Sequence, residues 1–285
     1  MIRIYTTQKD YNLYRTNLTH NSVGIVATMG NLHEGHLSLL QKSIEENTVS
    51  VVTIFVNPKQ FGPTEDFDKY PRTLDEDLNK ISNIALHASA QYPEKEIVVF
   101  APKNIDEIYP IGFNTIISVG GVTQSLEGAK RPTHFDGVTT VVYRLFKIVN
   151  PSNAYFGQKD YQQCIVIKKM VEDLSININI HILPIIRNSD GLALSSRNQY
   201  LSESERSIAL HLSRTLKQIE MLIKNKKDYT SLISDELRNN KWDYLEVLDS
   251  KNLAFPQNQT KELVIIGVYK LGSTRLLDNI LVSNL

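Results

Sequence analysis

The chain has 285 residues, 41% hydrophobic and 22% charged, which is enough to bury a core without cross-links and too apolar for a disordered chain. Its 31 Lys and Arg balance 31 Asp and Glu, so the basic excess that releases counterions from nucleic acid is missing and no nucleic-acid partner is expected. One cysteine, Cys164, excludes an internal disulfide or a cysteine zinc cluster and points to a cytoplasmic setting, while the lack of a long apolar run argues against a signal peptide or a membrane span.

In chain order, the first strong signal is the β-branched, apolar run at residues 23–29, closed by Gly30-Asn31, which predicts a buried strand and a turn. From His36 the spacing of Leu37, Leu39, Leu40 and Ile44 predicts an amphipathic helix ending at Glu45-Glu46-Asn47, and a second strand follows over 49–56. Such a βαβ unit makes its strands parallel and sends ligands to their carboxyl ends, where residues 29–36 and 57–61 fall. The alternation continues with a helix over 74–90, a strand over 97–100, a helix over 138–149, a strand over 154–156 and a helix over 161–174. A doubly wound parallel sheet is expected. After an apolar strand over 176–186 the pattern changes to a long helix over 203–225 and strands over 244–248 and 263–269. Residues 1–184 are therefore assigned to an α/β sheet domain and 185–285 to a smaller α+β domain covering its cleft, with residues 188–198 at the junction. No internal repeat or low-complexity tract is present.

The densest chemical signal is Thr28-Met29-Gly30-Asn31-Leu32-His33-Glu34-Gly35-His36, two histidines on a strand-to-helix turn flanked by glycines. Backbone N–H groups at a helix start, with imidazoles on the same face, suit a phosphate. Two other readings of an isolated H-x-x-H stay open: a metal pair with His134 as a third ligand, and plain helix capping. Taken singly, Gln60 and Gln163 read as ordinary hydrogen-bonding amides, Asp75-Glu76-Asp77 as the acidic start of a helix, and Cys164 as a buried apolar residue.

The same turn resembles the HIGH-type nucleotide-binding motif of the nucleotidylyltransferases, and its wording is similar to that of the pantoate–β-alanine ligase family. Four further blocks share the likeness: Ile54-Phe55-Val56-Asn57-Pro58-Lys59-Gln60-Phe61; Tyr70-Pro71-Arg72-Thr73; Glu127-Gly128-Ala129-Lys130-Arg131-Pro132 with His134-Phe135; and Phe156-Gly157-Gln158-Lys159-Asp160-Tyr161-Gln162-Gln163. A fifth, Gly191-Leu192-Ala193-Leu194-Ser195-Ser196-Arg197-Asn198, occupies the place of the second phosphate-binding motif. The blocks run in the family's order across residues 23–201.

The resemblance implies a Rossmann-like fold and a two-step activity. Pantoate and ATP give an enzyme-bound pantoyl adenylate plus pyrophosphate, and β-alanine then displaces AMP to give pantothenate. Family positions imply His33, His36, Lys159 and Arg197 as catalytic, with Met29, Gly30, Gly157, Asp160, Ile186, Ser195 and Ser196 also at the ATP. They imply Gln60, Gln163, Met29, Tyr70, Arg131 and His134 around pantoate, Mg2+ arriving with ATP and having Asp77 as candidate ligand, and a homodimer. The chemistry agrees with these residue types. A carboxylate nucleophile needs no general base, so the demand falls on offsetting triphosphate charge, for which imidazole, Lys, Ser and Arg are suited. Pantoate, with a carboxylate, two hydroxyls and a gem-dimethyl group, calls for amides beside an apolar wall.

Three departures stand out: Ala27 where the family commonly has proline, Thr133 where glycine is usual, and Asp136 where arginine or another residue is common. Activity is expected to survive the first, and Asp136 is expected to point away from the phosphates. Rival readings fare worse. An adenylyltransferase acting on a phosphorylated substrate needs cations where Gln60 and Gln163 stand, and a tRNA-charging enzyme needs a basic module. A silent nucleotide-binding protein has no need of His33, His36, Lys159 and residues 195–197 together.

Overall fold

The structure, a computed structural model, describes residues 2–18, 22–63, 65, 67–196, 198, 201–272 and 274–283. The chain forms two compact units, Met1–Gly157 with Val166–Leu183 and Gln158–Ile165 with Pro184–Leu285.

The first unit is built on six parallel strands, β1 (Ile2–Tyr5), β2 (Val23–Thr28), β3 (Val49–Ile54), β4 (Glu96–Phe100), β5 (Asn153–Gly157) and β6 (Asn179–Leu183), in the order β1-β4-β3-β2-β5-β6. Its helices are α1 (Gln8–Thr16), α2 (Glu34–Glu46), α3 (Leu74–Gln91), the short α4 (Leu126–Lys130), α5 (His134–Val149) and α6 (Tyr161–Asp173), whose first turn falls in the second unit. Parallel sheets are covered on both faces, which is why β2 and β3 are rich in Val and Ile on both faces, interrupted only by small or hydroxyl residues, and lie buried in register from Val23↔Val49 to Thr28↔Ile54. Leu37, Leu40 and Ile44 of α2 and Ile81 of α3 close one face over Val26, Val52 and Val99. Strand order reverses at β2, which pairs with β3 on one side and β5 on the other, so the crevice that such sheets open for ligands lies where β2 and β5 end. The histidine turn leaves β2 there, and Gly157 ends β5.

Several boundaries differ from the sequence pattern, each for a local reason. Strand β3 stops at Ile54 because Asn57 caps a single 3₁₀ turn, Pro58–Gln60, by accepting from the Lys59 N–H. Helix α5 starts at His134, ahead of the expected 138, because Gly137 serves close packing rather than termination. Strand β6 is shorter than 176–186: Ser175 is left-handed (φ 50°) and Ile176 donates back to Val171 at one end, and Pro184 brings no N–H at the other. Strand β1 and helix α1 escape the pattern entirely. β1 is a half-exposed edge strand, and α1 is announced only by Thr7, whose hydroxyl accepts from the Asp10 N–H.

The second unit adds α7 (Glu203–Lys224), α8 (Thr230–Leu237) and an antiparallel sheet of β7 (Trp242–Asp249), β8 (Glu262–Leu271) and β9 (Thr274–Ser283), in the order β7-β8-β9. A reciprocal Ser202–Glu205 cap starts α7, and Leu212, Leu216 and Ile219 of that helix pack over Leu245, Ile265 and Val282. Residues 158–165 join this unit, so the two units interleave in sequence instead of parting at one point after 184. The Tyr161 hydroxyl donates to the Ser250 carbonyl, and the Asn279 amide donates to the carbonyls of Gln158 and Lys159. Among the described residues no helix is long and apolar enough to cross a membrane.

Candidate active site

In the first unit the turn after β2 is held from behind by α3. Gly30 is left-handed (φ 85°), and a Cβ there would press on Asp77 Oδ2 at 3.1 Å and Ile54 Cγ2 at 3.2 Å, so glycine is required. Asp77, the candidate magnesium ligand, is wholly buried. Its carboxylate accepts from the N–H groups of Asn31 (2.9 Å) and Leu32 (2.7 Å) and from the Thr73 hydroxyl (3.3 Å). Lys80, one turn on, donates to the Leu32 carbonyl at 2.7 Å. Asp77 thus ties α3 to the histidine turn.

The capping alternative for the two histidines is what their Nδ1 atoms do. His33 is the N-cap of α2 and its Nδ1 accepts from the Gly35 N–H at 3.1 Å, while His36 Nδ1 accepts more loosely, at 3.4 Å, from the His33 N–H. The rings lie 4.1 Å apart at 35°, and a Cβ on Gly35 would stand 2.8 Å from the His33 ring. A neutral imidazole that accepts at Nδ1 carries its proton on Nε2. The cap therefore fixes the tautomer and makes both Nε2 atoms donors at the amino end of a helix, where an anion is favoured.

Gln60 sits on the 3₁₀ turn after β3, and its amide is fixed on both sides. Asn57 Nδ2 donates to its Oε1 at 3.0 Å, and Gln60 Nε2 donates to Met29 Sδ at 3.0 Å. Asn57 is itself buried, with Tyr109 OH donating to its Oδ1 at 2.8 Å and its Nδ2 donating to the Gly137 carbonyl. Helix α5 presses so closely here that a Cβ on Gly137 would collide with the Lys59 carbonyl and the Gln60 backbone. Met29 and Gln60, two of the residues implied for pantoate, are thereby brought together.

Tyr70, Arg131 and His134 frame the same turn. His134, buried at the start of α5, donates from Nδ1 to the Gln60 carbonyl at 2.8 Å and accepts at Nε2 from Arg131 at 3.1 Å. Burial first, and the Arg131 charge second, hold its pKa below the ordinary 6.5, so the ring is neutral. Arg131 also forks onto Glu65 with bonds of 2.7 and 2.6 Å. Burial alone would raise the Glu65 pKa, but the Arg131 hydrogen bonds and charge outweigh it and hold the carboxyl below its usual range. Tyr70 is buried edge-on against Phe61 (5.8 Å), and Arg72 donates to its carbonyl.

In the second unit, Lys159 lies on the 3₁₀ turn Gln158–Asp160, with Nζ 3.3 Å from Asp160 Oδ1. Gln163 is half-buried on the first turn of α6, and the adjacent Cys164 is buried. Ile186 and Ser195 flank a small hairpin closed by the Leu194 N–H to Ile186 carbonyl bond and by the Arg187–Ala193 bridge. Ser195 accepts through its carbonyl from the Asn198 N–H, and Ser196 is half-exposed beside it. Arg197 lies outside the described residues. In the first unit, no described atom comes within 4 Å of a Cβ built on Gly157.

Sequence reasoning missed the groups that hold these residues: Lys80, Glu65 and Tyr109 in the first unit, and Arg187, Asp278 and Asn279 in the second. Asn57, which bonds Gln60, and Thr73, which bonds Asp77, stood in quoted blocks but were given no role there. Among the described residues no group of three or more His, Cys, Asp or Glu is arranged to hold a metal ion.

Comparison with known proteins gives a consistent result. The sequence model of the family described as Pantoate-beta-alanine ligase matches residues 3–281. A pantothenate synthetase of Acetivibrio thermocellus is 48% identical over 267 residues, covering 91% of each chain, and one of Hydrogenovibrio crunogenus is 46% identical over 273 residues, covering 92% of each. The solved pantothenate synthetase of Thermus thermophilus superposes with a TM-score of 0.87 at 38% identity over 98% of each chain. The pantoate–β-alanine ligase of Francisella tularensis, described as complexed with beta-gamma ATP and beta-alanine, superposes with a TM-score of 0.80 at 32% identity, covering 99% of this chain and 98% of its own.

Proposed function

The chain belongs to the pantoate–β-alanine ligase family, and from that premise we propose how its residues divide the work of the family's reaction. The enzyme condenses pantoate with β-alanine at the expense of ATP, through a pantoyl adenylate, releasing pyrophosphate and AMP. In the first step a pantoate carboxylate oxygen attacks the α-phosphorus and pyrophosphate leaves. In the second, the β-alanine amine attacks the acyl carbon and AMP leaves.

His33 and His36 hydrogen-bond phosphate oxygens through Nε2, in the tautomer that their capping bonds impose. This is the observation that carries the reading: the cap that starts α2 also sets two donors at the carboxyl end of β2. Lys159, Ser195, Ser196 and Arg197 offset the charge that builds on the leaving pyrophosphate. Gln60 and Gln163 hold pantoate. Gln60 Nε2 now donates to a thioether sulfur, a weak acceptor, and exchanges it readily for a carboxylate or hydroxyl oxygen of the substrate. Asp160 takes the ribose hydroxyls, and the clear space at the Gly157 Cβ position lets the nucleotide lie against the backbone. Tyr70, Arg131 and His134 shape the pantoate wall through the contacts they make around Gln60.

Magnesium enters on ATP with phosphate oxygens as its ligands and lessens the triphosphate charge; the described residues offer no cage for it. The proposal includes a homodimer, checked by analytical ultracentrifugation, and a cytoplasmic enzyme in which Cys164 stays a thiol.

The test is a rapid-quench measurement of pyrophosphate with pantoate and ATP alone. About one pyrophosphate per chain is expected before β-alanine is added, and AMP only afterwards. Lys159→Ala should slow that burst about 100-fold or more while pantoate affinity by calorimetry stays nearly unchanged. Equal losses in both would remove Lys159 from the phosphoryl step.

A further inference from the structure

Two neighbouring residues of β9, Asp278 and Asn279, touch both of the segments that the reading above assigns to ATP in the second unit. Asn279 Nδ2 donates to the carbonyls of Gln158 (2.9 Å) and Lys159 (3.0 Å), and its Oδ1 accepts from Gln158 Nε2 at 3.0 Å. Every donor and acceptor of this side-chain amide is therefore directed at one 3₁₀ turn. Asn279 is 1% exposed.

Asp278 serves the other segment. Its carboxylate, 2% exposed as a residue, takes a two-pronged bond from Arg187, NH1 to Oδ2 at 2.6 Å and NH2 to Oδ1 at 2.8 Å. The same guanidinium donates to the Gly191 carbonyl at 3.2 Å, and Arg187 pairs with Ala193 across the hairpin that delivers Ser195. Asp278 Oδ1 also accepts from the Asn279 N–H, which locks the pair to each other. Successive strand residues face opposite ways, so one strand reaches both segments by placing adjacent polar residues where its pattern calls for apolar ones.

We infer that Asp278 and Asn279 are positioning residues: β9 is a common mount that fixes the Lys159 turn and the 187–194 hairpin against each other, and so sets the spacing of the groups that meet the triphosphate. Neither touches substrate. Asn279 acts through the backbone of Lys159, and Asp278 acts through Arg187. The inference rests on the phosphate roles given to Lys159 and to residues 195–197.

The experiment is pantoate-dependent ATP–pyrophosphate exchange combined with the burst measurement. A displacement of the Lys159 turn by about 1 Å is expected to slow exchange on the order of 100-fold in Asn279→Ala, with a burst amplitude still near one per chain and the β-alanine KM unmoved. Asn279→Ser, which keeps one donor, should fall between that variant and the native enzyme. Asp278→Asn should raise the KM for ATP about tenfold, leaving pantoate binding alone. In a double-mutant cycle, Asn279→Ala should cost little more once Lys159 is already alanine, because its effect passes through that side chain. A reduced burst amplitude at native rate would mean a smaller folded fraction and would overturn positioning, as would full additivity in the cycle. Native exchange in Lys159→Ala would bring down the phosphate reading itself. A slow Lys159→Ala beside a native-like Asn279→Ala would bring down only the mount.

Discussion

The histidine turn of the first unit and the lysine turn of the second are held in opposite ways. Around His33, His36 and Gln60 the side chains themselves are fixed: both imidazoles cap a helix, the Gln60 amide is bonded at both ends, and a buried Asp77 carboxylate anchors the turn. Around Lys159 it is the backbone that is fixed, by Asn279, while Lys159 and Asp160 keep 21% and 48% of their side-chain surface exposed. The difference suits the chemistry. In the roles proposed above, donors that recognise a ground-state phosphate gain from rigid direction, whereas an ammonium that follows charge onto a leaving group gains from a firmly held backbone under a long side chain.

The comparison breaks most directly at Asp77. Replacing it with alanine strands the N–H groups of Asn31 and Leu32 in a buried turn, at a cost of about 3 kcal/mol in urea unfolding, and activity falls with stability. A native urea midpoint in Asp77→Ala would mean that these bonds do not hold the turn. Asn279→Ala, by contrast, should cost about 1 kcal/mol while slowing the chemistry far more. The first region should thus lose stability and rate together, and the second rate almost alone.

The same contrast explains what could be read from the sequence. The caps of the histidine turn were legible because they are local: His33 bonds Gly35, His36 bonds His33, and Gln60 bonds Asn57, all within three residues, whereas the Asp77 anchor, 45 and 46 residues from the N–H groups it holds, was not. Its sheet was legible too, since β2 and β3 are buried on both faces and are dominated by Val and Ile. The mount of the second region was not, since Asn279 meets Gln158 across 121 residues and Asp278 meets Arg187 across 91. Strand β9 itself escaped notice for that reason: Asp278-Asn279 interrupts the apolar pattern in order to hold loops elsewhere. Edge strand β1 was missed for a simpler cause, having too little buried surface to make a pattern.

A smaller effect sharpens the first region through pH. His134 is neutral because burial and the neighbouring Arg131 charge favour the unprotonated ring against the pull of Glu65, Glu127 and the Gln60 carbonyl. Its folded pKa lies below 6.5, so under pH 6.5 the unfolded chain takes up a proton before the folded one does, and stability falls as pH drops toward the folded value. Glu65, whose carboxyl is held below 4.5, loses its contribution only at more acid pH, which separates the two events. Unfolding free energy measured from about pH 5 to 7 should slope upward in the native protein and flatten in His134→Gln, which keeps an amide for both partners. An unchanged slope would assign the pH dependence to another group.

The smallest effect concerns Thr133, the residue immediately before α5. It has φ 68° and ψ −9°, the left-handed region, and its side chain makes no capping bond. A β-branched residue there costs roughly 1–2 kcal/mol, since its Cβ crowds the following backbone. Glycine would relieve that strain but return about 0.5–1 kcal/mol through the greater freedom of the unfolded chain. The balance favours Thr133→Gly by roughly 0.5–1 kcal/mol, a rise in thermal midpoint of about 2 °C for a protein of this size. Because His134 and Gly137 reach Gln60 through their own contacts and not through the Thr133 side chain, the KM for pantoate should not move. A stabilised variant with a shifted pantoate KM would show that the strain at Thr133 is transmitted along α5 to Gln60, and that even the rigid region draws part of its aim from a strained turn.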